Sequence, residues 1–129
     1  MTKNIDPRKA SGYLTKAINS LEMAKLAIQK KAYDNAVMSA VHSAINALDA
    51  LTTSYKGKRA SGQHTDVLSL IQGILTPREY VDIEKQFGSL LTLKNTSEYQ
   101  PDLMSLKDAQ DSIRWAERIL SKVKTKLQV

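Results

Sequence analysis

The 129-residue chain contains no cysteine. Disulfides, thiolate metal sites and cysteine nucleophiles are therefore excluded, and a reducing compartment, the cytoplasm, is the expected location. Proline and glycine are scarce, at three and five residues. They fall mostly between periodic segments, so long helices meet few breakers. Aromatic residues make up 5% of the chain, too few for a single-strand platform built on base stacking. No apolar run approaches the roughly 20 residues of a membrane span, and the N-terminus lacks the apolar stretch of a signal peptide. HExxH, a glycine-rich phosphate loop and paired carboxylates at ligand spacing are all missing, and two histidines make no zinc site. No metal and no cofactor is expected.

What remains is a length suited to one domain, residues 1–129, and a net charge of +6. That charge favours anionic partners: nucleic acid, nucleotide or an acidic protein. It is unevenly spread. Residues 1–31 hold seven Lys/Arg against two acids, and Lys56, Lys58 and Arg59 follow with no acid between them.

The periodicity predicts an all-α, up-and-down bundle of four to five helices. The first runs from about Pro7 to Lys30, with Asp6 as N-cap and Leu14, Ala17, Ile18, Leu21, Ala24 and Ile28 inward. The second, about Tyr33 to Ser54, carries the stripe Val37, Val41, Ala44, Ile45, Leu48 and Leu51, flanked by small residues that allow close approach. The short link between them makes an antiparallel hairpin. A short third helix is expected over about 64–74. A fourth starts at the capping box Thr76-Pro77-Arg78-Glu79 and ends near Leu93. Lys94 to Met104 reads as a polar loop. A fifth, capped by Ser105 with Asp108, runs to about Leu127. No strand alternation is visible.

The break after the second helix, Lys56-Gly57-Lys58-Arg59-Ala60-Ser61-Gly62-Gln63-His64, is where chemistry would reside. A guanidinium clamps phosphate through two hydrogen bonds, and an imidazole moves protons near neutral pH. Arg59 and His64 could thus serve RNA cleavage without a metal, with Lys56 and Lys58 adding phosphate attraction. The plainer alternative is a solvated basic loop with His64 capping the third helix. Asp66, two residues on, could hold His64 in a structural hydrogen bond. On the second helix, His42, Asn46 and Asp49 share a face, read either as solvent-facing or as a polar cleft wall on which Asp49 orients an imidazole or pairs with Arg59. Trp115 sits beside the stripe of the last helix, as a core-edge residue or a partner anchor. Tyr99 is expected to pack its loop onto the bundle.

The alanine-rich segment Tyr33–Leu51, the Arg59/His64 loop, the stretch Lys94-Asn95-Thr96-Ser97-Glu98-Tyr99 and the helix opening Ala109-Gln110-Asp111-Ser112-Ile113 together resemble HEPN domains. The likeness covers about residues 10–125. It implies a small helical bundle, often a homodimer, in which an arginine and a histidine four to six residues later act on RNA without metal. Two copies then form one cleft. It also implies a toxin role beside a nucleotidyltransferase-type antitoxin, or, in members without activity, an interaction scaffold. Carried over by residue, Arg59 and His64 match the motif pair and Asp49 the polar residue of the second helix. The sequence departs from the family pattern in Ala60 after the arginine, in Gly62 within the motif and in Asp66 where some members carry tyrosine.

Overall fold

A computed structural model describes all 129 residues. The order is β1 (Thr2–Asn4), a 3-10 turn (Pro7–Lys9), α1 (Ala10–Gln29), α2 (Tyr33–Lys56), β2 (Lys58–Ala60), α3 (Asp66–Ile71), α4 (Pro77–Tyr99) and α5 (Leu106–Leu127). The expected all-α bundle is present, with α2 as its spine. Ala36, Ala40, Ala44 and Ala47 are fully buried, so the backbones of α1 and α5 can lie close against it. Ser43 donates from its hydroxyl to the Ala17 carbonyl of α1 at 2.7 Å, a buried hydrogen bond that pins the hairpin. Phe87, Leu48, Leu51, Ile71, Leu90 and Ile119 fill the centre.

Both predicted capping boxes form. Thr76 accepts from the Glu79 backbone and Ser105 from that of Asp108, each acid returning to the cap's own N–H. Glu79 also receives Lys126 at 2.8 Å and Lys122 at 3.2 Å, which ties the start of α4 to the end of α5. Those partners hold its carboxyl down at about 2, with the Lys126 hydrogen bond the largest cause.

Several boundaries differ from the sequence reading. Residues 94–99 are helical and not a loop: α4 continues to Tyr99. Lys94 and Glu98 form an i,i+4 pair at 3.0 Å, and Ser97 donates to Asp34 of α2 at 2.8 Å. The helix stops only at Gln100, which is extended because Pro101 follows. Tyr99 consequently projects into solvent and does not pack a loop onto the bundle. The third helix is shorter than expected at both ends: residues 64 and 65 form a turn before it, and at its C-terminus Gln72 is already extended before Gly73 turns the chain with φ +84°. Ile18, expected inward, lies at the surface of α1. The helix expected from Pro7 begins with a single 3-10 turn, Asp6 accepting from the Arg8 backbone N–H. Two short strands also form where no strand signal was visible.

Candidate functional site: the pocket at the Arg59–His64 segment

The geometry begins at the C-terminus of α2. Gly57 adopts φ +60° and its N–H closes the last turn onto the Thr53 carbonyl at 3.0 Å. This is a left-handed helix stop, natural for glycine. A side chain here would meet the Ile5 carbonyl at ordinary contact distance, 3.4 Å from an ideal Cβ position, so it is the positive φ that asks for glycine. The chain then leaves as β2 and pairs antiparallel with β1, Lys3 opposite Arg59. Backbone hydrogen bonds from Ile5 to the Gly57 carbonyl (2.9 Å) and from Ser61 to the Met1 carbonyl (3.1 Å) extend the ladder. Arg59 is thus fixed by a strand, not carried on a free loop.

Gly62 sits where a Cβ would approach Asp66 Oδ2 to 3.0 Å. Asp66 closes the turn that precedes it: its carboxylate accepts from the Gln63 backbone N–H at 3.1 Å and from the Met1 amino group. Its partners are these and not His64, so the structural hydrogen bond anticipated between Asp66 and His64 is not made. That leaves the imidazole available to the pocket.

A pocket of about 250 Å³ opens between this segment, α2 and α4. Arg59, Ser61, Gly62, Gln63 and His64 form its rim, Asp49 and Ile45 one wall, Val67 and Phe87 its apolar floor. The three polar residues singled out from the sequence, Asp49, Arg59 and His64, therefore line one cavity. Lys56 and Lys58 do not. Lys56 donates to the Gln72 carbonyl at 3.0 Å, and Lys58, exposed on β2, precedes Arg59 and so points to the opposite side of the strand. Arg59 Nη1 donates to the Ala60 carbonyl at 3.2 Å, leaving the rest of its donor fork open.

The electrostatics of the pocket follow from partial burial. Loss of solvation pushes the Asp49 carboxyl up to about 6, with the Arg59 charge pulling the other way. Asp49 thus gains and loses a proton near neutral pH. Partial burial also lowers His64 from its ordinary value. Repulsion from Lys94 and from His42 adds to this, and Glu98 opposes it. The result is an imidazole that is largely neutral at pH 7 and able to accept a proton. His42 is exposed on α2 and is not among the residues lining the pocket. Trp115 is half-buried and packed on the core, the core-edge placement. No three His, Asp or Glu side chains gather as a metal cluster, and no helix is long and apolar enough to cross a membrane.

Two features of this site were not read from the sequence. The pairing of Thr2–Asn4 with Lys58–Ala60 leaves no periodic trace in three-residue strands. Lys94 and Asn95 also approach His64, and this depended on α4 continuing past Leu93. The i,i+4 spacing of Lys94 and Glu98, with no proline before Pro101, was the signal for that.

Comparison with known proteins agrees with the architecture. The chain superposes on TT1696 from Thermus thermophilus with a TM-score of 0.76 at 19% identity, covering 92% of this chain and 98% of that one. At that identity the likeness shows a shared fold. No curated protein matches significantly. The HEPN domain family matches residues 10–126, nearly the whole chain, and the protein accordingly belongs to the HEPN domain family.

Proposed function

We propose that this HEPN domain binds RNA at the Asp49–Arg59–His64 pocket and cleaves it without a metal ion. The observation that carries the reading is the convergence of a guanidinium and a largely neutral imidazole on one cavity of about 250 Å³, in a chain of net charge +6. Arg59 clamps the phosphate through its free N–H donors and stabilises charge developing on it. His64 takes the proton of the 2′-hydroxyl as that oxygen bonds to phosphorus. The bond from phosphorus to the 5′-oxygen breaks, and the imidazolium returns the proton to the departing oxygen. The products are a 2′,3′-cyclic phosphate and a 5′-hydroxyl, and no co-reactant is consumed. Asp49 sets the charge beside Arg59. When protonated it removes negative charge from the pocket, and when ionised it competes with the phosphate for the guanidinium.

Homodimerisation, with two such pockets forming one cleft, and a nucleotidyltransferase-type antitoxin partner belong to the same reading. They are supported by family membership and not by a contact within the chain. The test is RNA incubated with purified protein in excess chelator. Wild type should cleave. His64→Ala and Arg59→Ala should each lower the rate about 10²- to 10⁴-fold, the span typical of losing a general base or an oxyanion donor. Cleavage that persists in both variants removes these residues from their assigned roles.

A second reading, a non-catalytic interaction module, is favoured by apolar side chains left in solvent: Met23 and Leu26 on α1, Leu103 and Leu106 around the start of α5. It predicts RNA-independent self-association or partner binding that Leu26→Ser weakens while His64→Ala does not, read by analytical ultracentrifugation.

A further inference from the structure

His64 does not border one pocket only. A second cavity, of about 290 Å³, lies on its far side and is lined by Gln63, His64, Thr65, Leu91, Lys94 and Asn95. Gln63 and His64 belong to both cavities and form the ridge between them. Each side of the ridge offers one cation: Arg59 on the first, Lys94 on the second. Lys94 is not a free surface lysine. Its side chain is only 17% exposed and is held to Glu98 Oε2 at 3.0 Å, which leaves two ammonium N–H donors unspent. Asn95 adds an amide with both donor and acceptor, and Leu91 an apolar wall. A cation, an amide and an apolar wall, in a volume just under the range of roughly 300–1,000 Å³ typical of small-ligand sites, suit one nucleotide unit.

We infer that the cavity beyond His64 is a second nucleotide subsite, in which Lys94 holds the phosphate adjoining the scissile one and Asn95 meets the base edge. The inference rests on the RNA reading proposed above and extends it. The strand lies across the His64 ridge, with the scissile phosphate on Arg59 and the next nucleotide over Leu91. The ligand is single-stranded RNA of at least two nucleotides, not a mononucleotide, because a mononucleotide fills only one side. Glu98 acts in this arrangement as the holder of Lys94, and it weakens the attraction of Lys94 for an anion.

The experiment compares binding of a 2′-O-methyl nucleoside 3′-phosphate with that of a 2′-O-methyl trinucleotide, in chelator. The methyl group removes the nucleophile, so binding is read without cleavage. Wild type should prefer the trinucleotide. In Lys94→Gln that preference should fall about tenfold, the scale of one lost charge-assisted hydrogen bond. The salt dependence of trinucleotide binding should also flatten by about 0.7 in log–log slope. Lys85→Gln, which removes the same charge from an exposed position on α4, should leave the preference at the wild-type value. Glu98→Gln separates ligand binding from structure. If Lys94 and Glu98 matter only as an ion pair, both substitutions act in the same direction. If Lys94 binds phosphate, Glu98→Gln raises the preference while Lys94→Gln lowers it. A wild-type preference in Lys94→Gln, or equal changes in the two variants, overturns the second subsite. Arg59→Ala decides the underlying reading separately. Unchanged mononucleotide binding there defeats the proposed function and this inference with it. Weakened mononucleotide binding alongside an unaltered Lys94→Gln preference defeats the subsite alone.

Discussion

The α1–α2–α5 stack and the 57–65 segment are joined at Gly57 yet are built by different physics. Twelve residues of α2 are buried, so the spine is held from almost every side. Between Gly57 and Thr65 no residue is fully buried. There the shape comes from a left-handed glycine, a three-residue strand pairing and the carboxylate of Asp66. The first region holds the buried core, and the second holds the polar side chains of the proposed site at little cost in core packing. Segments of the second kind sit at the low-stability end of a protein, where local opening precedes global unfolding. Substitutions should therefore divide cleanly, with core changes lowering stability and segment changes lowering RNA binding.

The largest break in that comparison should come from Leu48→Ala. Leu48 is fully buried, and its truncation should cost about 2–5 kcal/mol in chemical denaturation. Asp49, one residue along the same helix, belongs to both regions and should show it through pH. Its carboxyl is near 3.8 when unfolded and about 6 when folded, so the native state binds the proton more tightly. The protonated, unpenalised form dominates below about pH 4. Stability is then lost as pH rises from about 4 to 6, by about 1–3 kcal/mol for a partly buried group. Asp49→Asn should lack this component, so the stability gap between variant and wild type should widen over that window in favour of the variant. A parallel pair of stability curves would remove Asp49 from the pocket's partly dry wall. The same variant should bind phosphate more tightly than wild type at pH 7. A smaller effect, about 1 kcal/mol, is expected for Thr76→Ala through loss of the α4 cap, read as a drop in Tm. The smallest belongs to Arg59→Ala, which should change stability by less than about 0.5 kcal/mol, as for other substitutions away from the core.

The same contrast explains what could be read from the amino-acid sequence. The buried stripes Val37–Val41–Ala44–Leu48–Leu51 and Ala109–Ile113–Ala116–Leu120–Val123 announce themselves, because burial imposes a 3.6-residue period. The capping boxes at Thr76 and Ser105 are equally local and were equally legible. The extension of α4 was not, because the polar run 94–99 has no apolar stripe. Its helicity is sustained by Lys94–Glu98 and by the tertiary contact of Ser97 with Asp34. The β1–β2 pairing joins residues more than fifty positions apart and carries no periodic signature. Arg59, His64 and Asp49 were identifiable as residue types, but that Asp49 sits in a half-dry wall required the segment to be folded back over α2.

The chain has only two histidines, so the imidazole signals of His42 and His64 can be assigned by proton NMR with a single His42→Gln variant. Titrated alone, His64 should lose its proton below pH 6.5, and adding a 2′-O-methyl oligonucleotide should raise that midpoint, because a phosphate beside the ring favours its charged form. In Arg59→Ala the rise should vanish. A His64 midpoint that ignores the oligonucleotide, or that rises just as much without Arg59, would contradict the claim that these two side chains grip one phosphodiester together.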